Sequence, residues 1–316
     1  MTDIVICEFM DEAALAGFPQ AWSVLYDPAL VDDRPRLKAA LGSARALIVR
    51  NRTQVDADLL AAAPVLAAVG RLGVGLDNID LDACAARDIA VLPATGANTL
   101  SVAEYVIATA LHLLRPAFSS NAAMIAGYWP RTALIGGELS GRTMGLVGFG
   151  GIARAVADRA HALGMRIAAY DPFLSADDPV WKGAERLALE ALLERADVVS
   201  LHVPFTPQTR HLIDAKALAR MRATAVLINT ARGGVVDETA LAAALKDRRL
   251  GGAALDVFET EPLTAEAGQM FAEIPNLVLT PHIAGVTNEA NVRVSYLTVE
   301  NVRNVLERDA GMVASR

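Results

Sequence analysis

The chain has 316 residues and a formal net charge of −7, with 53% of its residues hydrophobic and 21% charged. Length allows two domains, each large enough for a core of its own. The acidic balance argues against general nucleic-acid binding, which favours basic faces, and no apolar run reaches the roughly 18–20 residues that cross a membrane. The opening residues, MTDIVICEFMDEAA, carry acids where a signal peptide has a basic start and a longer apolar core. Cys7 and Cys84 are the two cysteines and form no CxxC pair, as expected of reduced thiols in a cytoplasmic protein.

In chain order, short strands are expected at Ile4–Glu8, Ala46–Arg50, Ala67–Arg71 and Ala90–Leu92, with helices at Arg34–Leu41, Ala57–Ala62 and Leu81–Arg87. This first series has no phosphate-binding fingerprint. A long helix, Leu100–Leu114, follows, with Thr99 or Ser101 as its cap and Pro116 as its stop. A second series of strands is expected at Thr143–Phe149, Arg166–Tyr170, Val198–Val203, Ala225–Thr230, Gly252–Val257 and Leu277–Leu279, and Asn288–Leu306 reads as one closing helix. Such alternation predicts an α/β fold with parallel sheets and right-handed crossovers. No repeat or flexible linker interrupts it.

The richest stretch is Met144–Ala153, MGLVGFGGIA, an apolar run that feeds a glycine turn opening a helix. Read as G-x-G-x-x-G/A, it sets Gly148, Gly150 and Ala153 at the fingerprint positions, with Gly151 and Ile152 between the last two. The first allows a tight turn, the second lets backbone approach a pyrophosphate, and the third lets helix and strand pack closely. Asp171 ends the next strand, 18 residues past Ala153, where a dinucleotide-binding unit carries its ribose-binding carboxylate. No arginine or lysine follows at once to receive a 2′-phosphate, so the expected cofactor is NAD rather than NADP.

Five histidines exist, and elimination among them points to one. His112 and His161 sit in helical patterns, and His202 and His211 read as structural or peripheral. His282, in Thr280–Gly285, follows an apolar strand at the carboxyl end, where open α/β sheets place ligands. Arg232 and Glu261 also follow apolar strands directly. A histidine, an acid and a guanidinium thus leave strand ends on the same edge as the fingerprint, and no metal-ligand cluster appears.

The chain resembles the D-isomer-specific 2-hydroxyacid dehydrogenases, within them the phosphoglycerate dehydrogenase branch. The likeness rests on Val69–Asp80 (VGRLGVGLDNID), Ser101–Glu104 (SVAE), the fingerprint and the arginine, glutamate and histidine blocks. Gly151 stands where relatives often carry arginine, and Ala153 replaces the third glycine. The resemblance implies two Rossmann-like domains: an NAD-binding domain, residues 98–285, inserted into a discontinuous substrate-binding domain, residues 1–97 plus 286–316. It implies that His282 exchanges a proton with the substrate oxygen, that Glu261 orients the imidazole, and that Arg232 grips the 2-oxo acid. Val203, Pro204, Thr209, Thr230, Ala231 and Gly285 are implied to meet the cofactor, and Asp256 its nicotinamide side. Leu72, Gly73, Val74 and Gly75 are implied to offer backbone N–H groups to the substrate carboxylate. A homodimer is implied too, with Ala126–Gly137 packed on the partner and Arg131 either in a plain interface salt bridge or close to the partner's site. The fold is shared with the C-terminal-binding co-repressors. The end at Arg316, with no long tail for docking partners, favours an enzyme over that reading, and the missing regulatory domain argues against feedback control through one.

Arg50 and Arg71 match positions that face the distal anion in the phosphoglycerate branch, and Arg52 adds a third guanidinium or a merely solvated one. Such a cluster favours a substrate with a second anionic group: 3-phosphoglycerate, 3-sulfolactate or a dicarboxylic hydroxy acid. Sulfolactate dehydrogenases of the family look similar in Phe9–Ala14 and Arg50–Thr53. Lactate, glycolate or glyoxylate, with one anionic group, is the alternative.

Overall fold

The structure, a computed structural model, describes residues 2–314. Met1, Ser315 and Arg316, which the expected substrate-binding segments include, lie outside the described residues. The chain divides into two compact units: the residues up to Asn98 with those from Val286 onward, and Thr99–Gly285.

The first unit holds a parallel sheet of β1 (Ile4–Ile6), β2 (Val24–Tyr26), β3 (Ala46–Val49), β4 (Ala68–Arg71) and β5 (Ala90–Pro93), in the order β2-β1-β3-β4-β5. Side chains alternate between faces along a strand, so both faces of β1 and β3 are apolar. Val5, Leu47 and Val49 pack with Leu37, Leu41, Leu59 and Leu60. Ile4, Ile6 and Ile48 pack instead with Val299, Val302 and Leu306 of the closing helix, Asn288–Ala314. Each such side chain, fully buried, contributes roughly 1.5–3 kcal/mol.

The second unit holds β6 (Thr143–Val147), β7 (Arg166–Tyr170), β8 (Glu185–Arg186), β9 (Val198–Leu201), β10 (Val226–Asn229), β11 (Gly252–Leu255) and β12 (Leu277–Leu279). Their order is β12-β11-β10-β9-β6-β7-β8, all parallel. Strand order reverses between β6 and β9 in this sheet and between β1 and β3 in the other. Those switch points are where doubly wound sheets open a ligand crevice at the carboxyl ends of their strands.

The expected α/β class and its strands are present, with most strands ending one or two residues early. Two strands were not foreseen: β2, three half-buried residues, and β8, a pair of exposed charged ones. The long helix begins at Thr99, so Ser101 is a buried residue within it and not its cap. The closing helix runs on to Ala314, past the expected Leu306, because nothing in the charged stretch after Leu306 breaks it. Among the described residues no helix is long and apolar enough to cross a membrane.

Candidate active site

The fully buried run of β6 delivers the chain to Gly148, whose φ of +85° suits glycine. A Cβ there would meet the His202 carbonyl oxygen at 2.6 Å, so the turn closes tightly over the switch point. The helix Gly151–Ala162 then starts at Gly150 with no side chain capping it. A Cβ on Gly150 or Gly151 would meet nothing within 4 Å. The helix start is therefore open, and its first N–H groups and dipole suit a pyrophosphate. Ile152 is half-buried beside it.

Asp171 follows β7 directly. Its Oδ2 accepts from the Phe149 N–H at 2.9 Å and its Oδ1 from the Phe173 N–H at 3.0 Å. Each oxygen keeps a second lone pair for a ribose hydroxyl. Thr230 Oγ1 is buried with no partner among the described residues, as expected of a hydroxyl that awaits a ligand. Ala231 is fixed beside it by its N–H to Asn229 Oδ1, 3.0 Å. The Val203–Thr209 loop is closed by the Thr209 hydroxyl, which donates to the Pro204 carbonyl at 2.6 Å. These residues fit a dinucleotide.

The candidate reacting groups leave the ends of β10, β11 and β12. Asp256, just past β11, is 1% exposed. Its carboxylate accepts from the N–H groups of Ile283 and Ala284, each at 2.8 Å, and from the Thr280 hydroxyl at 2.6 Å. The His282 N–H donates to the Asp256 carbonyl at 2.8 Å, and Tyr105 OH lies 2.6 Å from Thr280 Oγ1. Asp256 thus builds the turn that carries His282 and, through Ala284, leads into Gly285. His282 has a φ of +53°, a costly value for a non-glycine residue and one that clusters at functional sites.

His282 Nδ1 lies 2.8 Å from Glu261 Oε2, and the other oxygen, Oε1, accepts from the Phe258 N–H at 3.0 Å. Pairing with a carboxylate assigns the Nδ1 proton to this contact, which leaves Nε2 outside it. Burial pushes the Glu261 carboxyl up. The bonds from His282 and Phe258 and the charges of His282 and Arg232 outweigh it, so its pKa falls below the ordinary carboxylate range. Gly233 brings the Arg232 loop against this one: a Cβ there would sit 1.7 Å from the Phe258 carbonyl oxygen. Arg232 Nη1 donates to the Ala231 carbonyl at 2.7 Å, and Asn229 Nδ2 to the Arg232 carbonyl at 3.0 Å.

Two contributions escaped the sequence. One is the role of Asp256 as clamp of the histidine turn. The other is a brace between loops: the Glu259 N–H donates to Glu238 Oε1 at 2.6 Å, while the Glu238 N–H donates to Glu259 Oε1 at 3.3 Å. His211 Nε2 joins it, 3.2 Å from Glu259 Oε1. Only the acid in a polar turn before an apolar helix hinted at Glu238.

In the first unit, Arg71 ends β4 and donates from Nη1 to the Leu72 carbonyl at 2.8 Å. The Gly73 carbonyl accepts from the Ala94 N–H at 2.8 Å, fixing the loop that continues through Val74 and Gly75. Val49 pairs with Arg71 in register, so Arg50 and Arg71 leave neighbouring strand ends. Arg50 Nη2 donates to Asn291 Oδ1 at 2.8 Å, and its guanidinium carbon lies 6.0 Å from the Phe9 ring centre. Arg52 differs from the expectation of a substrate-facing group. Its guanidinium is turned to Asp32, both side chains being well exposed.

The chain matches the family described as D-isomer specific 2-hydroxyacid dehydrogenase, NAD binding domain, over residues 107–284. It is 60% identical over 307 residues to the (S)-sulfolactate dehydrogenase of Chromohalobacter salexigens, covering 97% of this chain and 99% of that one. Identity to the D-3-phosphoglycerate dehydrogenase of Mycobacterium tuberculosis is 43% over 274 residues, 87% of this chain but only 51% of that longer protein. Among solved structures, the Aquifex aeolicus D-lactate dehydrogenase, in complex with NAD and lactic acid, superposes with a TM-score of 0.84 at 28% identity, over 99% of this chain and 98% of that one.

Proposed function

The chain belongs to the D-isomer-specific 2-hydroxyacid dehydrogenases, NAD-binding oxidoreductases, and we propose that its substrate is a hydroxy acid with a second anionic group, of which 3-sulfolactate is the leading candidate. The observation that carries the reaction is the 2.8 Å contact of His282 Nδ1 with Glu261, which points the other ring nitrogen outward as a proton carrier. Bound NAD supplies the hydride acceptor, or NADH the donor. His282 Nε2 takes the hydroxyl proton as the carbonyl forms and returns it in the reverse direction. Glu261 stabilises the charged imidazole, and Arg232 offers its planar fork to the carboxylate and carbonyl. Substrate recognition is assigned to the first unit, where the Leu72–Gly75 loop meets the carboxylate and Arg50 and Arg71 supply positive charge. The 60% identity to a sulfolactate dehydrogenase supports a sulfonate as the second anion.

A homodimer belongs to the same reading. Ile125, Tyr128, Trp129 and Ile135 are 69–87% exposed, and so much apolar surface in one stretch suits a partner better than water. Arg131 lies within that stretch. A cytoplasmic location is proposed on the two unpaired, buried thiols, Cys7 and Cys84.

The test is a comparison of NADH consumption with 3-sulfopyruvate, pyruvate and glyoxylate. The reading expects kcat/KM at least tenfold higher for sulfopyruvate. Equal or better efficiency with pyruvate or glyoxylate would assign a monoanionic substrate instead.

A further inference from the structure

We propose that Glu8 and Asn291 are positioning residues that hold the Arg50 guanidinium as the determinant for the substrate's second anion. The inference rests on the substrate reading above and adds to it which guanidinium acts and what aims it. All the groups lie in the first unit, where β1 and β3 flank the point at which strand order reverses. The residues that leave those two strand ends are Cys7–Phe9 and Arg50–Thr53.

Glu8 is 4% exposed, and its carboxylate faces the loop after β3. Oε1 accepts the N–H groups of Arg50 at 2.9 Å and Thr53 at 3.0 Å. Oε2 accepts those of Asn51 at 3.3 Å and Arg52 at 3.1 Å. Four consecutive amides converge on one buried carboxylate, which fixes the path of the loop and where Arg50 begins. The lone pairs of Glu8 are taken by backbone amides, so it aims the arginine through the loop and acts on the guanidinium charge only from a distance.

Asn291 fixes the other end. Its Oδ1 accepts from Arg50 Nη2, and its turn of helix is tied to the β1 loop through Ser295. The Ser295 hydroxyl donates to the Asn291 carbonyl at 2.8 Å and accepts from the Asp11 N–H at 3.0 Å. The partner at 291 is neutral, so it orients the guanidinium without adding a second counter-charge to that of Glu8. Arg52 shows the contrary arrangement, since Asp32 already balances it. Of two arginines two residues apart, one is held at its tip by a neutral amide and the other is spent on a surface ion pair.

The experiment compares kcat/KM for 3-sulfolactate with that for lactate, using NAD, in Arg50→Ala, Asn291→Asp and Glu8→Gln. NADH fluorescence confirms that each variant is folded and binds cofactor. Arg50→Ala should lower the sulfolactate-to-lactate ratio at least tenfold. Asn291→Asp, which keeps size and hydrogen bond but neutralises Arg50, should lower it nearly as far through KM. Glu8→Gln turns an NH2 toward two amide donors and should lower the ratio about fivefold, again through KM. A role in stability alone would depress both substrates alike and leave the ratio standing. If Arg50→Ala collapses the ratio but Asn291→Asp and Glu8→Gln stay within twofold of the parent, the positioning inference is overturned and the substrate reading stands. If Arg50→Ala itself leaves the ratio unchanged, the substrate reading falls and the inference with it. Asn291 is only half-buried on a helix, so its variant decides the matter even if Glu8→Gln fails to fold.

Discussion

Two buried carboxylates, one in each unit, solve the same problem with different outcomes. Asp256 and Glu8 both emerge just past the strand next to a sheet edge, are nearly inaccessible, and accept backbone N–H groups from a loop far away in sequence. Asp256 gathers two amides and a hydroxyl, and the turn it builds forces His282 to a positive φ. Glu8 gathers four consecutive amides of the loop after β3. The first arrangement fixes the turn from which the ring projects, and Glu261 then holds the ring by Nδ1, as proton transfer requires. The second fixes only the backbone, so the arginine tips are settled by further partners, Asn291 for one and Asp32 for the other. In the proposed reading, proton transfer thus rests on Asp256 and Glu261 together, while substrate choice depends on which outer contact each guanidinium finds.

The comparison breaks most sharply at the histidine. His282→Ala should lower kcat by roughly 10²–10⁴-fold, the usual worth of a general acid–base group, while NADH titration still shows binding. Near-normal turnover would remove the proposed proton carrier. Asp256→Asn comes next. The substitution offers NH2 to donors that need an acceptor, leaving at least one buried amide unmade at about 1–3 kcal/mol. A fall of ten- to a hundredfold in kcat with a lower Tm is expected. An equal loss in Tm with unchanged kcat would show that the turn serves the fold and not the ring.

How much of this was legible in the sequence follows from what each feature depends on. The fingerprint, the strand series and the three candidate reacting residues are local signals: an apolar run, a glycine turn, a polar group at the strand's end. β8 was not legible, because Glu185 and Arg186 pair only as an edge to β7 and carry no apolar pattern. β2 is three residues long and half-buried, below what periodicity can separate from a loop. The carboxylate clamps were invisible for another reason. Glu8 reaches residues 42–45 positions away and Asp256 reaches 27–28, and single-sequence patterns carry no such information. Glu8 was read as the last residue of a strand that in fact ends at Ile6.

A smaller effect concerns His202, at the end of β9, whose Nε2 lies 3.0 Å from Ser200 Oγ. Desolvation pushes its pKa from 6.5 down to about 4. The folded chain therefore keeps this ring neutral while the unfolded chain charges it. Its contribution is fully present above about pH 6.5 and is lost as pH falls toward 4. The ring keeps some access to water, so the loss is on the order of 1–2 kcal/mol rather than the full shift. His202→Gln should flatten the fall in Tm between pH 7 and 5. An unchanged slope would assign the acid sensitivity elsewhere.

The smallest effect is the one that separates the two arginines. Arg52 and Asp32 form an ion pair with side chains 60% and 68% exposed, and such pairs contribute about 0–1 kcal/mol. Arg52→Ala should therefore shift Tm by little and raise KM for a dianionic substrate less than about twofold, whereas the same change at Arg50 acts at least tenfold. The Arg52 N–H still donates to Glu8 after the substitution, so the loop keeps its path and only the side chain is tested. Raising the salt concentration sharpens the contrast, because screening weakens an exposed pair more than a half-buried guanidinium. A KM increase at Arg52→Ala as large as that at Arg50→Ala would mean that Arg52 leaves Asp32 when substrate arrives. The distinction drawn between the two loop arginines would then fail.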